Sequence, residues 1–295
     1  MSIQHINQEK PILIFGANGN LGTQLVSNLE SKYIGAVVPL TRKDCDVMDI
    51  ENVEKKIIDI KPSVVINAVA YNNVDACEKN IEEQRKAIKL NVSFVECLAS
   101  ICQRVNAKLI HFSTNYVFSG NENEYIEKDV ASPVNFYGLT KLMGEQAILK
   151  RLDTGLDASV IRISNLFGPC GNGKDCKPSF FDVIYKVAKE KGSLNVINDE
   201  YNCFTYAIDV AKRVTELLEK DNFKGVFHFV NNEPMTWYEA ACIYFELLGE
   251  QININPTKSE EYQRIAKRPT RAVMKSTRIP PLRGFKEAMK DYIQC

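Results

Sequence analysis

The stretch Pro11-Ile-Leu-Ile-Phe-Gly-Ala-Asn-Gly-Asn-Leu-Gly22 decides the fold. A short apolar run ends in three glycines, Gly16, Gly19 and Gly22, and apolar residues at helical spacing continue to Leu29. Glycines spaced this way after a strand make a tight turn, let the backbone approach a pyrophosphate, and let the helix pack close to the strand. The free N–H groups of the helix N-terminus then face the phosphates. The bland alternative is a glycine-rich turn without a ligand, but the strand–turn–helix setting favours a dinucleotide site. Gly16, Asn18, Gly19, Asn20, Leu21 and Gly22 are its candidate residues.

Working outward, strands and helices alternate. Ala36–Leu40, Ser63–Val69, Ala107–Ser113 and Ser159–Ile163 read as strands. The second of these is apolar on both faces, as a central parallel strand should be. Val53–Ile60, a long stretch from Glu82 to Arg104, and Asn135–Lys150 read as helices. The alternation implies right-handed crossovers and an α/β, Rossmann-type doubly wound parallel sheet. Residues 1–167 are expected to form the dinucleotide-binding domain, with later returns near 205–232. Residues 168–295 are expected to form mainly a smaller C-terminal substrate-binding lobe. Within it, Gly168–Pro178 reads as a loop, and Thr236 with Glu239 as a capping box before a helix from Trp237 to Leu248. The last 45 or so residues are polar and broken by prolines, as expected of a lobe folded over a cleft.

Composition excludes several functions. Lys+Arg 37 balances Asp+Glu 37, so no global field favours nucleic acid or an acidic membrane. No apolar run approaches the roughly 20 residues needed to cross a bilayer, and Met1–Lys10 lacks the apolar core of a signal peptide, so a cytoplasmic protein is expected. The 9 cysteines are scattered, without a Cys-x-x-Cys pair, and read as reduced thiols; Cys170 and Cys176 share a loop in which oxidation could pair them. His5, His111 and His228 stand far apart, which argues against a zinc site or a histidine triad.

About twenty residues beyond the glycines stand Arg42 and Lys43, where an acidic residue would bind the ribose of NAD. Cations there suit the 2′-phosphate of NADP(H), with NAD(H) the alternative; two solvated surface charges are the other reading. Tyr137-Gly-Leu-Thr-Lys141 places a phenol and an ammonium on one helical face. Ketone reduction needs a proton for the developing alkoxide, and a neighbouring ammonium brings a phenol into range as its donor. Upstream, Ser113-Thr-Asn-Tyr116 closes a strand, where a hydroxyl can orient a carbonyl.

These motifs resemble the dTDP-4-dehydrorhamnose reductase family of extended short-chain dehydrogenases. The resemblance extends through Lys61–Tyr71, Val74–Glu78, Leu90-Asn-Val92, His111–Phe118, Tyr137–Glu145, Gly225–His228 and Met235–Glu239. It implies that Thr114, Tyr137 and Lys141 are catalytic, with Lys141 also holding the nicotinamide ribose. It implies adenine contacts at Asp46 and Val47, a cofactor wall at Ala68, Val69, Ala70 and Tyr71, and a supporting Asn91. It also implies a nucleotide-sugar substrate touching Asn115, Tyr116 and Asn165, and a homodimer as the assembly. The expected activity is NADPH-dependent reduction of dTDP-4-dehydrorhamnose to dTDP-L-rhamnose. Alternatives are reduction or epimerisation–reduction of a GDP- or UDP-sugar, or a regulatory subunit similar to the methionine adenosyltransferase β subunit. The chain departs from the family at Asn115, usually Asp, and at Asn165, usually Trp. Gln24 stands where some members carry a magnesium-binding Glu, so no metal is expected.

Overall fold

All of β1 (Ile12–Phe15) is buried, as its unbroken apolar run requires of a strand covered on both faces. The computed structural model describes residues 11–174, 176–220 and 223–295; the expectation for Met1–Lys10 falls outside them. β2 (Val37–Leu40), β3 (Val64–Asn67), β4 (Lys108–Thr114), β5 (Ala158–Ile163) and β6 (Gly225–His228) complete the main sheet. Their order is β2-β1-β3-β4-β5-β6, and every pairing is parallel. The order reverses between β1 and β3, which opens a crevice at the carboxyl ends of the strands. The glycine turn after β1 and Ser113–Thr114 at the end of β4 both reach that edge.

Side chains alternate across the sheet. Ile12 and Ile14 face α1 (Asn20–Lys32) and the helix Ala207–Leu218. Leu13 and Phe15 face α2 (Ile50–Ile60) and the long helical stretch. Each fully buried aliphatic or aromatic side chain contributes about 1.5–3 kcal/mol. The predicted long helix divides into α3 (Ile81–Ile88), one π-helical turn at Lys89–Ser93, and α4 (Phe94–Val105). The π turn carries the buried Asn91, and its carbonyl approaches Gly144 of α5 (Phe136–Leu149) so closely that a Cβ there would meet it at 2.3 Å.

The remaining lobe has its own aromatic core, with Phe167, Phe181, Phe204, Tyr206 and Phe285 packed together. α6 (Phe180–Lys191) leads into the strand Ser193–Ile197, which pairs with Asn253–Thr257. α7 (Trp237–Leu248) starts with the expected Thr236–Glu239 capping box. The polar, proline-broken tail is more regular than its composition suggested. It adds Arg271–Ala272 to Tyr201–Asn202 and Leu282–Gly284 to Asn231–Asn232, then ends in α8 (Phe285–Gln294), whose Phe285, Ala288 and Met289 are buried.

Candidate active site

The glycine turn is built to admit an anion. Gly16 has φ 78°, and a Cβ on Gly22 would lie 2.0 Å from the Gly16 carbonyl oxygen. Gly19 caps α1 without any side chain, and the first turn carries no acidic residue, so its N–H groups have no capping oxygen. Residues 171–173 and 176–177 of the expected loop lie against this turn. Gly171 N–H donates to Asn20 Oδ1 at 3.0 Å, Asn20 Nδ2 to Lys177 O at 2.8 Å, and the Cys176 thiol to Asn18 O at 3.1 Å. The Asn20 side chain therefore holds the loop.

Between the turn and β4 lies a cleft of about 760 Å³. Asn18, Gly19, Asn20, Leu21, Gly22, Arg42, Ala68, Ala70, Thr114, Asn115, Tyr116, Tyr137, Lys141 and Asn165 line it. Gly16, Asp46, Val47, Val69, Tyr71 and Asn91, also expected at the site, are not among its lining residues. Asp46 lies 3.7 Å from Arg42, whose side chain is 83% exposed. Asn91 holds the Tyr71 backbone from both sides, taking its N–H at 2.9 Å and donating to its carbonyl at 3.0 Å. The Tyr71 phenol turns away to donate to Glu83.

α5 delivers Tyr137 and Lys141 together. Asn135 accepts the Gly138 N–H at 2.8 Å and Glu78 accepts that of Phe136 at 2.7 Å, which fixes the start of the helix. Gly138 lets the helix press against the segment after β4, since a Cβ there would sit 2.2 Å from Tyr116 O. The Tyr116 and Tyr137 rings meet edge to face at 5.9 Å. Burial pushes the Tyr137 phenol above its ordinary range, opposed by the neighbouring Thr114 hydroxyl. Burial lowers Lys141 to about 8, against the pull of Glu145 in the other direction. Its ammonium donates to Phe112 O at 2.6 Å. Thr114 Oγ1 accepts the Tyr116 N–H at 3.2 Å and donates to Asn115 Oδ1 at 3.3 Å.

Sequence reasoning missed several groups. The strand end offers Ser113 Oγ alongside Thr114, and nothing local marks Ser164 Oγ; both are buried at the cleft and find no partner among the described residues. Asn165 Nδ2 is likewise unpartnered, which supports the substrate contact expected of it. Lys174, Lys177, Phe180 and Trp237 also line the cleft, brought there by long-range folding that no local pattern announces. A second cavity of about 650 Å³ adjoins through Tyr116, Phe180 and Trp237. Two arginines on its wall are paired, Arg264 with Glu200, and Arg268 with Asp75 at 2.7 Å.

A doubly wound sheet, an open glycine turn and a Tyr–Lys pair lining the cleft beside a strand-end threonine define an extended short-chain dehydrogenase/reductase. More narrowly, the chain belongs to the dTDP-4-dehydrorhamnose reductase family: the model of the RmlD substrate binding domain matches residues 10–294. The chain is 31% identical over 288 residues to the spore coat polysaccharide biosynthesis protein SpsK of Bacillus subtilis, covering 96% of each chain. It is 32% identical over 290 residues to the dTDP-4-dehydrorhamnose reductase of Mycolicibacterium smegmatis, covering 96% of this chain and 84% of that one. The crystal structure of the dTDP-4-dehydrorhamnose reductase from Bacillus anthracis in complex with NADP superposes with a TM-score of 0.88 at 27% identity, over 97% of this chain and 99% of that one.

Proposed function

We propose that the chain is an NADPH-dependent reductase that converts dTDP-4-dehydrorhamnose to dTDP-L-rhamnose. The observation that carries this reading is that α5 brings the half-buried Tyr137 and the buried Lys141 to one cleft, with Thr114 beside them and the glycine turn at its other end. The names and the NADP complex of the relatives point the same way.

The residues suit the cofactor. The uncapped start of α1 and the Gly22 contact leave room for a pyrophosphate, with Lys174 and Lys177 on the opposite wall. Arg42 at the end of β2 suits a 2′-phosphate. NADPH, when bound, supplies the hydride for the sugar's C4. Tyr137 gives its phenolic proton to the O4 alkoxide, so carbonyl becomes alcohol and the phenol becomes phenolate. Lys141, one turn along α5, stabilises that phenolate with its charge. The Thr114 hydroxyl orients the carbonyl, and the free Asn165 amide and the Ser113 and Ser164 hydroxyls are available to the sugar. The same reading places the enzyme in the cytoplasm, which its free thiols support, and as a homodimer, which the exposed Leu139 and Met143 on α5 support.

The test is a panel of dTDP-, UDP- and GDP-linked 4-keto-6-deoxysugars with NADPH, followed at the nicotinamide absorbance. The dTDP substrate should turn over fastest, and Tyr137→Phe should lose at least about a hundredfold in kcat while still binding NADPH. No turnover on any of the three, with NADPH still bound, would sink the reading and favour a regulatory role.

A further inference from the structure

Behind the catalytic lysine lies a buried polar relay that the proposed chemistry does not use. Asn67 at the end of β3 and His111 in β4 are register partners on adjacent parallel strands, and both are buried. Asn67 Oδ1 accepts the Val69 N–H at 3.0 Å, which fixes the orientation of the amide. Its Nδ2 therefore faces His111 Nδ1, 3.1 Å away. An amide NH₂ only donates, so Nδ1 must be the acceptor. Burial, and Lys141 beside it, hold His111 well below its ordinary range, so the ring is neutral. Its one proton is then on Nε2, which lies 3.4 Å from Lys141 Nζ.

We propose that His111, fixed by Asn67 in the tautomer with its proton on Nε2, is a positioning residue that presents an N–H to the Lys141 amine and favours its neutral form. An ammonium has three donors and no acceptor. It can satisfy Phe112 O, but it opposes the imidazole N–H. A neutral amine donates to Phe112 O, accepts from His111, and keeps one N–H for the cleft. The other charged and titratable groups around the site do not reproduce this effect. Glu145, one turn further along α5, favours the ammonium, but Arg162 of β5 holds that carboxylate through two hydrogen bonds of 2.9 and 2.7 Å. Tyr137 lies one turn back, with Tyr116 against it and Cys77 near enough to act on its phenol. Burial already lowers Lys141 to about 8, and the His111 N–H acts in the same direction. If the reductase reading holds, the Lys141 ammonium, made more acidic in this way, can return a proton to the Tyr137 phenolate near neutral pH and be left as the amine.

The test needs no substrate, so its failure is separate from failure of that reading. Long-range ¹⁵N–¹H NMR of the histidine rings, with His111 assigned by its loss in His111→Phe, should show Nδ1 bare and Nε2 protonated. Asn67→Asp accepts from both Val69 N–H and Nδ1–H, inverts the tautomer, and turns a lone pair toward Lys141. The Lys141 midpoint, followed by ¹³C-lysine NMR and assigned by Lys141→Met, should rise by about one pH unit or more. Because the new carboxylate acts at a distance too, the same substitution is made in His111→Phe, where the rise should be less than about half as large. A protonated Nδ1 in the wild type overturns the proposal even if Asn67→Asp fails to fold. So does an unmoved midpoint, or an equal rise with and without His111.

Discussion

Lys141→Met should stabilise the cofactor-free protein at neutral pH. The substitution keeps the length and apolar stem of a 2%-exposed side chain and removes its charge. The lysine titrates at about 8 in the fold against an ordinary 10.5. Between those values the unfolded chain holds more protons than the native one, so this group makes stability rise with pH across that window. Below pH 8 both states are protonated and the whole cost is present. At about 1.36 kcal/mol per pH unit that cost is about 3 kcal/mol. Losing the hydrogen bond to Phe112 O takes back about 1 kcal/mol, which leaves a net gain of about 2 kcal/mol. Urea unfolding of both proteins at pH 7, 9 and 10.5, without cofactor, reads this directly. The gain should be largest at pH 7, shrink through pH 9 and give way by pH 10.5 to a loss of less than about 1 kcal/mol, the hydrogen bond alone, since other groups cancel in the difference. A variant less stable than wild type at pH 7, or a gap that does not change with pH, would refute the reasoning.

Three further outcomes follow from the same geometry. Gly22→Ala places a methyl 2.0 Å from the Gly16 carbonyl oxygen, so calorimetry should find NADPH binding lost and the midpoint of thermal unfolding reduced. Arg42→Ala should raise the KM for NADPH about tenfold and leave that for NADH nearly unchanged, because the guanidinium, held only by a long 3.7 Å pair with Asp46, is proposed to meet the 2′-phosphate that NADH lacks. Glu145→Ala leaves Arg162 buried and unpaired, and urea unfolding should show a loss of about 3–5 kcal/mol.

The main sheet was legible because its signals are local. Four-residue apolar runs and a glycine triplet need no long-range information, and all of the strands anticipated before Phe167 occur. The π turn at Lys89–Ser93 was not legible, since one extra residue within twenty-odd helical ones barely disturbs the apolar spacing. Yet that turn is what brings Asn91 against Tyr71 and Thr140. α8 was hidden for a different reason. Phe285, Ala288, Met289 and Tyr292 do recur at helical spacing, but the prolines before them dominated the reading of the tail. In the site, Tyr137 and Lys141 were visible as an i, i+4 pair, whereas the Asn67–His111 contact depends on strand register, which a single sequence does not display.

The two asparagines that depart from the family pattern occupy different physical situations. Asn115 is 1% exposed and spends both amide hydrogens on the lobe, on Asn202 Oδ1 at 3.2 Å and Ala272 O at 3.3 Å. Its remaining oxygen accepts from Thr114. A carboxylate in the same place would have no hydrogen to give and would face two acceptors. The asparagine is thus matched to Asn202, and the pair ties Thr114 to the segment that carries Asn202. Asn165, by contrast, has an amide nitrogen with nothing to bond among the described residues. A buried donor left open costs about 1–3 kcal/mol, and a sugar hydroxyl is the acceptor the cleft can supply. On the proposed reading, Asn165 is therefore where a polar contact to substrate is still to be made, while Asn115 is already spent on contacts within the chain.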